Sequence, residues 1–214
     1  MQAFLKIDAV LYINLDHRKD RKEDLLRELK RLQVPEEKIY RVPAIHDFLN
    51  GHRGCALSHI KALKMAKEKK FHPVLIIEDD CMFDATADKI NGHLEFFFQT
   101  VPPNEWDVFL LGGKVKKKRP TEYPKVYRIL KSYLSHAYIV HRNYIDELIR
   151  CFEESLILMD NLIFHFEALW TALDQHWYFW QIKDKWYAVD LFAHQKESFS
   201  DIDGICREKK HFLH

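Results

Sequence analysis

Three consecutive carboxylates, Glu78-Asp79-Asp80, follow the apolar run Val74-Leu75-Ile76-Ile77. Adjacent acids repel one another, so a folded chain tolerates them best where a cation or water screens them. A short β-branched run reads as a buried strand of a parallel sheet. Ligand crevices of open α/β sheets lie just beyond the carboxyl ends of such strands. Hard carboxylate oxygens there suit Mn²⁺ or Mg²⁺, which share their coordination with substrate phosphates. The chemistry suggested is a metal–diphosphate site, and the plainer alternative is an acidic turn facing solvent.

A second group of polar residues follows the first apolar run, Ala9 to Asn14: Asn14 itself, then Arg18 and Arg21. After a first strand this is where a nucleotide's base and phosphates usually lie. Arg suits bidentate contact with oxyanions, so Arg21 is a candidate for the diphosphate or for a salt bridge with Asp20. Ser58 and His59 stand near the start of a predicted helix, whose N-terminus attracts phosphate. Packing beneath the acidic turn is the alternative for His59.

The elements that must position these residues alternate. The spacing predicts a strand at 9–14, an amphipathic helix at about 20–32 from Leu25, Leu26, Leu29 and Leu32, and a strand at 38–44 ended by Pro43. Asp47 to Gly51 reads as a loop and Gly54 as a helix start. Leu57, Ile60, Leu63 and Ala66 form that helix's inner face, and Lys67, Lys69 and Lys70 suit its C-terminal end. Strand 74–77 follows directly. This βαβ order predicts a mostly parallel sheet with helices on its faces.

Further on, the pattern predicts a helix at 91–99, strands at 106–111 and 135–140, a helix at 144–154, an aromatic helical stretch at 164–177 and a strand at 186–189. Lys114 to Lys125 is basic and broken by proline, and it reads as a mobile loop. Its Lys116-Lys117-Lys118-Arg119 cluster is then a solvated surface or a flap over phosphates. No repeat or Gly/Ser linker divides the chain, so residues 1–214 are expected to form one domain.

Composition narrows the function. The chain has 214 residues, 47% hydrophobic and 14% aromatic, enough for a real core. Lys+Arg 33 against Asp+Glu 32 leaves a net charge of +1, which supplies no field for nucleic acid. Four scattered cysteines without a CxxC pair argue against zinc and for free thiols in a reducing compartment. No secretory signal or membrane span is evident, and a cytoplasmic protein is expected.

Three blocks occur in order: Asn14-Leu15 with Arg18, Asp20 and Arg21; Gly54-Cys55-Ala56-Leu57-Ser58-His59; and Glu78-Asp79-Asp80. Together they resemble glycosyltransferase family 25, which includes lipopolysaccharide and procollagen galactosyltransferases. Looser matches are Trp106-Asp107, His136-Ala137-Tyr138, Asp174, and Gln195 followed by Ser200-Asp201-Ile202. Asp190 stands where the family often has Pro, and His52-Arg53 where an acidic residue is commoner. The resemblance implies a GT-A-type, Rossmann-like α/β fold. It implies inverting transfer of a hexose, galactose from UDP-galactose, with Mn²⁺ or Mg²⁺, to a glycan or hydroxylated protein.

On that reading Asp80 is the first metal ligand, with His194 the further ligand from the C-terminal region. Asp79 binds the ribose or a metal-bound water, and Glu78 contacts the donor or serves the structure. Asn14, Arg18, Arg21 and Ser58 complete the donor site. Asp174 matches the family's late Asp and is the expected acceptor-side base, set among Trp170, Trp177 and Trp180, with Glu167 as fallback. Two other readings are a non-catalytic nucleotide-sugar- or glycan-binding domain and a metal phosphohydrolase. The second lacks an Asp-x-Asp-x-Thr nucleophile motif.

Overall fold

The computed structural model describes residues 3–161, 171–196 and 201–202. Its centre is an eight-stranded sheet built from β1 (Ala9–Asn14), β2 (Ile39–Pro43), β3 (Val74–Glu78), β5 (Val108–Leu110), β6 (Lys114–Pro120), β7 (Tyr127–Tyr133), β8 (Ala137–Val140) and β9 (Trp186–Ala188). Their spatial order is β2-β1-β3-β8-β5-β9-β7-β6. Following the pairings across the sheet, β7 and β8 run against the other six strands. This is the expected mostly parallel α/β sheet. A small second sheet pairs β4 (Cys81–Phe83) with β10 (Ala193–Gln195).

Helices cover both faces. Alternate residues of β3 divide between two cores, as the strand period requires. Val74 and Ile76 join Leu63 and Ala66 of α2 (Gly51–Lys69) and Leu148 and Phe152 of α4 (Ile145–Asp160). Leu75 and Ile77 join Leu25 and Leu29 of α1 (Lys19–Arg31) and Leu94 and Phe97 of α3 (Ala87–Thr100). Two short helices, α5 (Leu173–His176) and α6 (Tyr178–Lys183), precede β9.

Several expectations need correction. Lys114 to Pro120 is the edge strand β6, not a loop, and it pairs antiparallel with β7, a strand the pattern did not signal. Its outer residues are exposed, and register shifts around Lys117 interrupt the alternation a strand is recognised by. Lysines on an unpaired edge discourage pairing with another chain.

Helix α2 begins at Gly51, earlier than Gly54, because the Asn50 side chain accepts a hydrogen bond from Arg53 N at 3.1 Å and caps it. Gly54 serves the fold. A Cβ there would stand 2.7 Å from Ile45 O and 3.0 Å from Asp47 N, so only glycine lets residues 45–47 lie against the helix. Helix α4 extends to Asp160, past the expected end. Much of the expected aromatic stretch lies outside the described residues. Among the described residues no helix is long and apolar enough to cross a membrane.

Candidate active site

Parallel pairing brings the ends of β1, β2 and β3 to one edge, with Ile13 opposite Glu78 and Asn14 opposite Pro43. Strand β8 is antiparallel to β3, so its beginning, with Ser135 and His136 just before it, arrives at the same edge. Asn14 is the hub. Its Nδ2 donates to Asp79 Oδ2 at 2.7 Å and to Arg18 O at 2.9 Å, and its Oδ1 accepts from Arg41 Nε at 3.0 Å.

Arg21, from the first turns of α1, donates to Asp79 Oδ1 at 3.1 Å and lies 3.6 Å from Asp80 Oδ2 and 3.7 Å from Asp201 Oδ2. The cation that the acidic triplet calls for is thus supplied in part by the chain itself. Both Asp79 oxygens are occupied, so Asp79 holds Asn14 and Arg21 in place. Burial raises its carboxyl pKa, against the lowering effect of Asn14 and Arg21.

Glu78 turns the other way, toward α2 and β8. Oε1 accepts from Ser135 Oγ at 2.7 Å, and Gln195 Nε2 is 3.4 Å from Oε2. His59, fully buried, faces Oε1 with Nε2 at 3.4 Å, while its Nδ1 lies 2.8 Å from Tyr138 Oη. Burial would raise the Glu78 carboxyl, but His59, His136 and the Ser135 hydroxyl outweigh it and hold it below the usual carboxylate range.

The β4–β10 pair carries the C-terminal segment back over this edge. Gly112 and Ala193 form a bridge, and Lys196 N donates to Asp80 O at 2.7 Å. Gln195, Lys196, Asp201 and Ile202 join Asn14, Arg21, Cys55, Ser58, His59 and Glu78–Asp80 in lining one cleft. Asp201 also pairs with Arg18, whose guanidinium binds Asp20 at 2.9 Å.

The structure therefore brings together Asn14, Arg18, Arg21, Glu78, Asp79 and Asp80. It places others differently. His194 is opposite Met82 in the β4–β10 register, and its Nδ1 lies 3.0 Å from Asp84 Oδ2. Ser58 is not at a helix start: it stands in the third turn of α2, where its hydroxyl donates to Gly54 O at 2.7 Å and accepts from Ile45 N at 2.8 Å. Trp177 is buried against Trp186, with ring centroids 5.0 Å apart, and its Nε1 donates to Ser132 O. Trp180 is likewise largely buried, with Arg150 and Lys183 over its ring. Neither offers an open face to a sugar. Glu167 and Trp170 lie outside the described residues.

Asp174 sits in the first turn of α5 and accepts from Leu134 N at 2.8 Å. Leu134 has a positive φ of 68°, so Asp174 also pins the turn that delivers Ser135 to Glu78. Burial raises its pKa, and the nearby Glu78 charge adds to this. Arg41, Ser135 and Lys196 were not singled out by motif, and Cys55 was noted only as part of the Gly54–His59 block. Ser135 could be found only by knowing that β8 runs backwards, which no local pattern states.

The acids suit a hard divalent ion that also binds phosphate. Such ions need one or two protein carboxylates rather than a complete cage. Asp80 and Asp201 face the cleft with side chains 14% and 19% exposed, and Arg21 lies beside both. Asp79 is already committed.

The sequence profile of Glycosyltransferase family 25 (LPS biosynthesis protein) matches residues 37–163. Procollagen galactosyltransferase 1-B of Xenopus laevis is 27% identical over 144 residues, 56% of this chain, and the match spans only 23% of that protein's length. Among solved structures, a glycosyltransferase involved in glycosylation of the major capsid of PBCV-1 superposes with a TM-score of 0.51 at 12% identity, covering 85% of this chain and 81% of that one. At that identity the likeness concerns the fold, and it agrees with the sheet described above. With more than half of its length matched by the profile, and with the Asn14, Cys55–His59 and Glu78–Asp80 blocks gathered at one sheet edge, the chain belongs to glycosyltransferase family 25.

Proposed function

We propose that this glycosyltransferase transfers a hexose, galactose from UDP-galactose, with inversion to a hydroxyl of a glycan or hydroxylated protein, with Mn²⁺ or Mg²⁺ bound at Asp80. The observation that carries the reading is Asp80 facing a cleft at the end of β3, beside Arg21 and beyond the end of β1. The name of the Xenopus relative supports galactosyl transfer. Free Cys81 and Cys151 are in keeping with a reducing compartment such as the cytoplasm.

Asp80, with Asp201 beside it, would hold the ion. When bound, the ion neutralises charge developing on the diphosphate as the sugar departs. Arg18 and Arg21 orient the diphosphate, exchanging part of their carboxylate contacts for phosphate oxygens. Asn14 and Asp79 fix Arg21 and the start of α1. Asp174, its proton affinity raised, accepts the acceptor hydroxyl's proton, a contribution of about 10²–10⁴-fold.

A donor screen tests this: the protein with Mn²⁺ and each UDP-sugar in turn, reading UDP release with and without acceptor sugars. UDP-galactose is expected to turn over, and Asp80→Ala to abolish the metal-dependent rate with an unchanged circular dichroism spectrum. Unchanged turnover in Asp80→Ala removes Asp80 from the mechanism. Binding without turnover of any donor would favour a non-catalytic sugar-nucleotide module.

A further inference from the structure

Cys55, His59 and Glu78 converge on one point in the wall of the cleft. Cys55 and His59 lie one helical turn apart on α2, so their side chains share a face. Glu78 reaches that face from the end of β3. One ligating atom from each, a thiol sulfur, an imidazole nitrogen and a carboxylate oxygen, lies within 4.8 Å of the others. Charge balance at the acidic turn does not require this grouping, since Arg21 turns toward Asp79 and Asp80.

We infer that Cys55, His59 and Glu78 form a second cation site, distinct in chemistry from Asp80, that takes a borderline divalent ion of the Zn²⁺ class. The inference stands apart from the donor reading, because it rests on the ligand set alone. Thiolate and imidazole select Zn²⁺ over Mn²⁺ and Mg²⁺. His59 Nε2 is buried and points at Glu78 Oε1, 3.4 Å away. Two N/O ligands about 2.0 Å from a tetrahedral zinc stand about 3.3 Å apart, so this pair is already spaced for it. A sulfur and a nitrogen ligand stand about 3.6 Å apart, so Cys55 needs to move inward by at most about 1.2 Å, a side-chain adjustment.

The outer groups fit as well. Tyr138 Oη lies 2.8 Å from His59 Nδ1 and can accept from it, the arrangement that would leave Nε2 to bind metal. Ser135 Oγ donates to Glu78 and holds it against the ring. All three ligands line the cleft, so three protein groups would leave the fourth tetrahedral position facing the cavity. On binding, Cys55 releases its thiol proton to solvent, as does any proton that His59 Nε2 shares with Glu78, so affinity falls as the pH falls.

The test uses the full chain, stripped with a chelator and titrated with Co²⁺, a spectroscopic stand-in for zinc. One ion per chain is expected to give a thiolate-to-cobalt charge-transfer band, bleached by Zn²⁺ and unaffected by excess Mn²⁺. Cys55→Ser, whose fold is checked by circular dichroism, should lose the band. Cys206→Ser and Asp80→Ala should keep it. Tyr138→Phe should weaken Zn²⁺ about tenfold or more through the loosened imidazole. Absence of a thiolate band in the unmodified chain, or its persistence in Cys55→Ser, overturns the proposal.

Discussion

Burial keeps a carboxyl's proton to higher pH, and a second carboxylate's charge adds to the effect; Asp174 is buried and feels the charge of Glu78. Two consequences follow in opposite observables. If Asp174 is the base, the lower limb of the pH–rate profile should lie above the ordinary carboxylate range, because only the ionised form accepts a proton. For stability, a raised folded-state pKa means the folded chain binds the proton more tightly than the unfolded one. That contribution is present at pH below the unfolded value and is lost as pH rises through the folded value. Asp174→Asn lacks this loss, so its stability relative to the parent should grow with pH across that window, measured by urea unfolding. Its amide oxygen still accepts from Leu134 N, so the Ser135 turn survives. Transfer should therefore fall about 10²–10⁴-fold while UDP binding stays. Normal transfer in this variant would make Asp174 a positioning residue only. The residue scale also shows what local reading cannot supply. Asn14, Arg21 and Asp79 could be named from the sequence, but not that Asp79 takes a hydrogen bond from Asn14 and an ion pair from Arg21.

At the scale of elements, the strongly periodic pieces were legible. Strand β1 and helix α1 lie where apolar spacing put them, because each buries a regular face. Strand β6 was not legible, since its residues make an exposed edge and its stability comes from pairing with β7. The same exposure yields a prediction. Replacing Lys116, Lys117 and Lys118 with Val or Thr should leave the melting temperature within a few degrees, because surface changes cost about 0.5 kcal/mol or less. It should instead promote self-association through the unprotected edge, visible as concentration-dependent mass in light scattering. A monomer at all concentrations would show that the lysines do not guard this edge. The helix α2 start was misplaced for a related reason: the Asn50 cap outweighs the small residues at 54–56 that looked like a beginning.

For the whole molecule, the mostly parallel α/β fold was legible from strand–helix alternation, while the order of strands was not. The insertion of antiparallel β8 between β3 and β5 and the return of β9 and β10 depend on contacts between residues far apart in sequence. The two cores share one sheet, β3 contributing to both, so they should unfold together. Calorimetry is expected to show a single cooperative transition, and two separated transitions would divide the chain into independent units. That shared sheet also gives the site its rigidity, since the groups at the ends of β1 and β3 cannot shift without disturbing both cores. The proposed function requires this sheet edge to bind a nucleoside diphosphate through a divalent ion held by Asp80. Calorimetric titration of UDP into the protein, with and without Mn²⁺, tests it most directly. We predict saturable binding that requires Mn²⁺ and disappears in Asp80→Ala, whereas UDP binding of equal strength without the ion, or none in its presence, would contradict the account.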